Sequence, residues 1–170
     1  MKIPLILFTC VMALFTFPAS GTIAVLQFEL DDLTQLPRTP EEIARTASVQ
    51  PLLAEALSST HGHTLNPVSP KQQADADLGF GYLFTQTGAA VELGKSVDAD
   101  WIIVGRLLKP SFLYAYLQAH VVNVKTGWQA PELAVEIKGG GSSLTRRGAE
   151  ALAEQINTVI KQWEQKQSDI

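Results

Sequence analysis

Three histidines and a short run of carboxylates are the residues of this chain best suited to chemistry. His61-Gly62-His63 sets two imidazoles one residue apart, and His120 is the third histidine of the sequence. Imidazole is a common metal ligand, so His61, His63 and His120 form a candidate metal set. The competing reading is a polar glycine turn between two elements, favoured because the ligand spacings of known metal motifs are absent. Glu29, Asp31 and Asp32 close an apolar run and would stand at the carboxyl end of a strand, where open α/β sheets gather ligands. Such a cluster could bind a cation or share acid–base duty between two carboxylates. A plain solvated turn is the favoured alternative, since no ion-binding loop pattern accompanies them. No cofactor is expected.

Two aromatic groups could serve binding instead. Gly79-Phe80-Gly81-Tyr82-Leu83-Phe84 is apolar and glycine-rich. It reads either as a lid or docking loop offering Phe80 and Tyr82, or as a plug closing one end of the core. Phe112, Tyr114, Tyr116, Gln118 and His120 fall on one face of an alternating segment. Left open, that face would be a partner surface, since tyrosine joins apolar area to a hydroxyl. Covered by a helix it would be core, and core is the expectation. Ser142 and Ser143 have no Gly-x-Ser-x-Gly context and no His-Asp pair to activate them. No catalytic residue is expected.

The elements that must position these residues follow from periodicity. Ile23–Leu30 is apolar on both faces, as a strand covered on both sides should be. Thr39-Pro40-Glu41-Glu42 combines a cap, a proline at the first helical position and a capping-box glutamate. The helix it starts has an apolar face of Ile43, Ala44, Ala47, Leu52, Leu53, Ala56 and Leu57, and Pro51 predicts a kink or a restart capped by Ser48. A short strand is expected over 64–68, a brief helix from Ser69-Pro70, and a further helix over 87–97. Trp101–Leu108 repeats the two-sided apolar pattern. A long alternating strand follows over 112–124, then another over 128–138 with Leu133, Val135 and Ile137 inward. Pro131 suits an edge. A last helix over 144–166 carries Leu152, Ile156, Val159, Ile160 and Trp163 at steps of three and four. Disorder is expected only at 33–38, in the Gly139-Gly140-Gly141 link and after Trp163. The order β-α-β-α-β-β-β-α predicts an α/β (α+β) fold, a five-stranded mixed sheet with helices packed on it.

Composition bounds the setting. The chain has 170 residues, 46% hydrophobic and 18% charged, with a net charge of −4, values that suit one globular domain. Its few cations are scattered, which argues against nucleic acid. Residues 1–21 read as a signal peptide: Lys2, an apolar run over 3–17, then Pro18-Ala19-Ser20-Gly21 with cleavage after Gly21 or Ala19. The run is too short for a comfortable membrane span, so none is expected after cleavage. Cys10, Met1 and Met12 all fall in that segment. A mature chain over 22–170 would hold no sulfur, hence no disulfide and no thiolate. A periplasmic or secreted location follows.

Three segments also carry a resemblance. Ile23-Ala24-Val25-Leu26-Gln27-Phe28-Glu29-Leu30-Asp31-Asp32 resembles the opening strand of a family of secreted bacterial proteins catalogued as a domain of unknown function. Ala99-Asp100-Trp101-Ile102-Ile103-Val104-Gly105 is similar to its second landmark, a Gly-Ala-Asp leading into a strand. Val122-Asn123-Val124-Lys125-Thr126-Gly127 resembles the third. More distantly the layout looks like the α/β domain of TolB amino-terminal and curli-secretion CsgG-like proteins. Those belong to envelope assemblies and are not enzymes, so the resemblance implies partner binding, by analogy of fold. Family members often carry Cys-x-x-Cys ahead of the second landmark. Here Gln86-Thr87-Gly88-Ala89 stands there, and Asp98 replaces the landmark glycine, so no thiol role carries over. The expectation is an exported, non-enzymatic binding or accessory protein whose partner is an envelope or periplasmic protein, or a small ligand. A metal-associated binding protein and a hydrolase are the alternatives, and a homo-oligomer through the 128–138 edge is open.

Overall fold

The structure is a computed structural model that describes residues 21–34 and 36–169. The expected signal sequence, with Lys2 and Cys10, lies outside the described residues up to Ser20.

The opening apolar run forms two short strands, β1 (Ile23–Val25) and β2 (Glu29–Asp32). Both pair in parallel with β3 (Trp101–Lys109). Val25 stands opposite Ile103 and Glu29 opposite Arg106. Three residues, 26–28, therefore face two, 104 and 105, which is a one-residue bulge. Its unpaired backbone is satisfied by a side chain. The Gln73 amide accepts from Gln27 N–H at 2.8 Å and donates to Gln27 C=O at 3.0 Å. The bulge also turns Phe28 inward over Gly105, where an added Cβ would lie 2.3 Å from the Phe28 ring. Glycine at 105 is what lets this ring lie on the strand.

β3 also pairs antiparallel with β4 (Tyr114–Asn123), and β4 with β5 (Leu133–Lys138). The result is the expected five-stranded mixed sheet with helices packed on it. One expected strand is missing: 64–68 makes only a single bridge, Leu65 to Ile23. The fifth strand comes instead from division of the first. Asp31 and Asp32 accordingly lie in strand, not in a turn. Phe112 and Leu113 fall in the turn before β4, and Trp128 lies ahead of β5.

Helices cover the two sheet faces unequally. On one face, α1 (Pro40–Glu55) and α5 (Ser142–Ser168) bury Val49, Leu53, Leu152, Ala153, Ile156 and Ile160 against Val25, Trp101, Ile103, Leu107, Leu117, Ala119 and Val121. The Thr39–Glu42 capping box forms as read. Pro51 neither ends nor restarts α1, whose irregularity comes later as a π-helical turn, Ala56–Thr60. Ile43, expected on the apolar face, is 56% exposed. Helix α5 continues past Trp163 to Ser168. On the other face, α2 (Pro70–Ala76), α3 (Tyr82–Thr85) and α4 (Thr87–Ser96) form a smaller layer. It buries Leu83, Phe84, Ala90, Val91 and Leu93 against Ala24, Leu26, Ile102, Val104, Val122 and Val124.

The Asp98-Ala99-Asp100 turn ties β1 to β3. The Thr22 N–H donates to Asp100 Oδ2 at 2.7 Å, and the Thr22 hydroxyl to Asp98 C=O at 3.2 Å. Asp98 has φ +53°, a left-handed conformation that explains the glycine of the family landmark. A left-handed L-residue costs roughly 1–2 kcal/mol, partly recovered by the unfolded-state entropy that glycine adds. Asp98→Gly is therefore expected to stabilise the fold by about 0.5–1 kcal/mol, read as a higher urea midpoint.

Candidate functional site: the open half of the sheet

Successive strand residues alternate between faces. Ile102, Val104, Arg106 and Leu108 therefore share one face of β3. Their β4 partners are Val122, His120, Gln118 and Tyr116, and beyond these stand Ala134 and Glu136 of β5. The small helical layer covers only the Ile102–Val104 end. Past it the face is bare: Ala134 and Glu136 are exposed, and Tyr114 is 39% exposed. The tyrosine stripe expected to be core is thus a half-open surface. The helix that would have covered it is missing because β3, β4 and β5 are joined antiparallel by connections that hold no helix, so no crossover helix is available on that side.

Arg106 organises this surface. Its Nε donates to Gln118 Oε1 at 2.7 Å, its Nη1 lies 3.3 Å from Asp31 Oδ2, and its guanidinium sits 4.3 Å above the Phe84 ring. Gln118 Nε2 in turn donates to Glu132 Oε1 at 2.7 Å. Phe84 stacks on His120 with centroids 4.1 Å apart. The Phe84 carbonyl accepts from His120 Nδ1 at 3.0 Å, which fixes the proton on Nδ1 and leaves Nε2 3.5 Å from Glu132 Oε2. At the far end Tyr116 donates its hydroxyl to Glu136 Oε2 at 3.3 Å, and its ring meets Tyr114 edge-on at 5.8 Å. Removal from water, together with the neighbouring Glu136 carboxylate, raises the Tyr116 phenol above its ordinary range.

Glu29 and the glycine loop form the near rim. Gly81 N–H donates to both Glu29 carboxylate oxygens, at 2.9 and 3.1 Å. Gly81, at φ +75°, caps α3. Leu83 and Phe84 plug the core, as one of the two readings expected, while Leu78 and Phe80 beside them are 78% and 63% exposed and Tyr82 is half-buried. Burial raises the Glu29 pKa, and the Gly81 hydrogen bond only partly offsets that. A raised acid pKa means that stability is full below the unfolded value, about 4.3, and declines as pH rises through the folded one. Glu29→Gln keeps an oxygen for Gly81 N–H. It is expected to raise the melting temperature at pH 7, with the gain vanishing in acid.

The remaining candidates separate. Asp32 points to the opposite face, beside Thr34 and Lys109. His63 Nε2 meets Asn157 Oδ1 at 3.0 Å, and His61 Nε2 lies 3.6 Å from Glu154 Oε2, both against α5. Burial lowers the His63 pKa. His120 stands on the other side of the sheet, so the three histidines do not converge. Among the described residues no group of three or more His, Cys, Asp or Glu could hold a metal ion. His120 faces a carbonyl, a ring and a carboxylate, with no hydroxyl placed for it to activate.

Sequence reading missed Arg106, Glu132 and Glu136 as members of this surface. An arginine inside an apolar strand was the available signal, since a part-buried guanidinium requires partners. It also missed the clustering of all three tryptophans. Trp101 meets Trp163 edge-on at 5.2 Å and Trp128 at 6.3 Å. Trp128 and Trp163 line a groove of about 380 Å³ with Pro131, Val159, Gln162 and Lys166.

The family profile DUF3280, described as "Protein of unknown function (DUF2380)", matches residues 21–156. The chain belongs to this family. No curated protein matches its sequence significantly. Among solved structures, the chain is similar to the PelC dodecamer from Paraburkholderia phytofirmans, at 14% identity over 82% of this chain and 91% of that one, TM-score 0.56. It is similar also to the hypothetical protein CT253 from Chlamydia trachomatis, at 10% identity over 84% and 98%, TM-score 0.54. Lipoprotein GNA1162 from Neisseria meningitidis matches at 16% identity over 82% and 96%, TM-score 0.52. At such identities what this DUF3280 member shares with them is the fold. Among the described residues no helix is long and apolar enough to cross a membrane.

Proposed function

We propose that this protein is an exported, non-enzymatic accessory protein of the cell envelope that holds a partner protein against the open half of its sheet. The observation that carries the reading is the bare face itself, where Tyr114 and Tyr116 stand beside a polar network anchored by Arg106. Tyrosines supply contact area at low entropic cost, and the network holds the surface rigid, which reduces the ordering cost of binding. Export rests on the N-terminal segment read from the sequence. The likeness of fold to a lipoprotein and to a subunit of a dodecamer supports an envelope setting and work through protein contacts.

The test is photo-crosslinking in the native host. Benzoyl-phenylalanine at Tyr116 or Tyr114 should give a discrete adduct, while the same group at Glu154, on the helical side, should not. Equal labelling at all three positions, or native protein recovered from the cytosol with Met1 intact, would defeat the proposal.

A small ligand is a second reading, supported by the tryptophan groove, whose volume of about 380 Å³ suits a small molecule. All three tryptophans report on it, so anilinonaphthalene sulfonate should quench the intrinsic emission with saturation. Trp128→Ala should abolish that response. An unsaturable, non-specific decrease would remove this reading.

A further inference from the structure

We propose that β5 pairs with β5 of a second copy of this chain, antiparallel about a two-fold axis at Val135, joining the two sheets into one. Among the described residues β5 ends the sheet, with β4 on one side of it and no strand on the other, so one row of its backbone donors and acceptors faces outward. Such an edge is a template for another strand. The occupant can be read from side chains, because a two-fold perpendicular to the sheet keeps each face on its own side and sets residues of equal parity opposite one another. Centred on Val135, it places Val135 against Val135, Leu133 against Ile137 and Ala134 against Glu136. It also sets Glu132 against Lys138, twice by symmetry. Leu133 and Val135 are only partly buried within one copy, at the margin of the core, and this pairing would cover them. Lys138 is free to reach across, with 87% of its side chain exposed and only a loose approach to Glu136 at 3.7 Å.

The same charges oppose neighbouring registers. A shift of two residues one way sets Glu136 against Glu136, and the other way sets Glu132 against Glu136. Like charges directly opposite are destabilising. Edge charges that would repel a random strand thus select one pairing. The consequence for the bare face is that Tyr116, Gln118, Glu132 and Glu136 of two copies become one continuous surface. The pairing itself needs no partner protein and stands whether or not that face binds one.

Sedimentation velocity of the full chain tests it. The protein should sediment at twice the chain mass, Lys138→Glu should sediment as a monomer, and Glu132→Lys with Lys138→Glu should restore the dimer. Val135→Cys in a Cys10→Ser background should give a disulfide-linked dimer on mild oxidation, while Lys95→Cys on α4 should not. Circular dichroism confirms that each variant is folded. A wild-type chain that stays monomeric at about 100 μM, where a modest interface would be populated, overturns the proposal. So does a dimer untouched by Lys138→Glu, or one that the charge swap fails to restore. A Tyr116 adduct with a second copy of this chain and one with a different protein are told apart by mass, so the two proposals fail separately.

Discussion

Gly105→Ala is expected to destabilise the protein by about 3 kcal/mol, toward the upper end for overpacking a core. The cause is local and has one partner. An alanine methyl would fall 2.3–2.7 Å from three atoms of the Phe28 ring, well inside contact distance, and Phe28 is 6% exposed within the core. The ring is held there by the bulge, which Gln73 closes on one side and the β1 and β2 pairings fix on both ends. Urea denaturation at pH 7 measures the loss. A cycle with Phe28→Leu separates mechanism from coincidence: removing the ring costs stability alone but should recover much of the loss in the Gly105→Ala background. Independent, additive effects would refute the Phe28 contact as the cause.

Lys109→Met is expected to cost about 3 kcal/mol, because it removes the cation of a buried charge cluster and leaves two carboxylates with no counter-charge. Lys109 is 7% exposed and pairs with Asp32 at 3.2 Å and with Glu42. It lies at the carboxyl end of β3, where it binds strand to helix. Burial alone would raise the Asp32 pKa, but the Thr34 hydroxyl and N–H, with Lys109, outweigh it and hold the carboxyl below its ordinary value. A depressed acid pKa contributes stability that is full above the unfolded value of about 3.9 and is lost as pH falls through the folded one. The deficit of Lys109→Met should therefore be largest at neutral pH and should narrow in acid, where wild type loses the same interaction. Adding Asp32→Asn and Glu42→Gln to Lys109→Met should recover stability, since no orphaned charge then remains. A deficit independent of pH would mean that Lys109 acts through its packing alone.

How much of this was legible in the chain differs by element. The capping box at Thr39 and the helix start at Ser69-Pro70 formed as read, because capping is decided within four residues. The alternation of β4 and the inward set of β5 also survived, since period-two patterning is local. The 64–68 strand did not: Pro67 cannot donate to a ladder, and only the bridge from Leu65 to Ile23 forms. The division of the first strand was invisible, because a bulge is a mismatch of length between two strands far apart in sequence. The site shows the same split. Tyr114, Tyr116 and His120 were correctly placed on one face, yet whether that face was core depended on where helices came to rest.

The sequence by itself determined most of the element types, the mixed sheet, the starts of α1, α2 and α4 and the residues sharing each face of β4 and β5. Only the tertiary structure decided which face stayed bare, that Arg106 would gather Asp31, Gln118 and Phe84, and that the three histidines would lie on opposite sides of the sheet. Local signals act through backbone conformation and side-chain period, which a neighbour or two can fix. Coverage and convergence depend on long-range register and on which layer each helix joins, and those are settled only when the whole core packs at once.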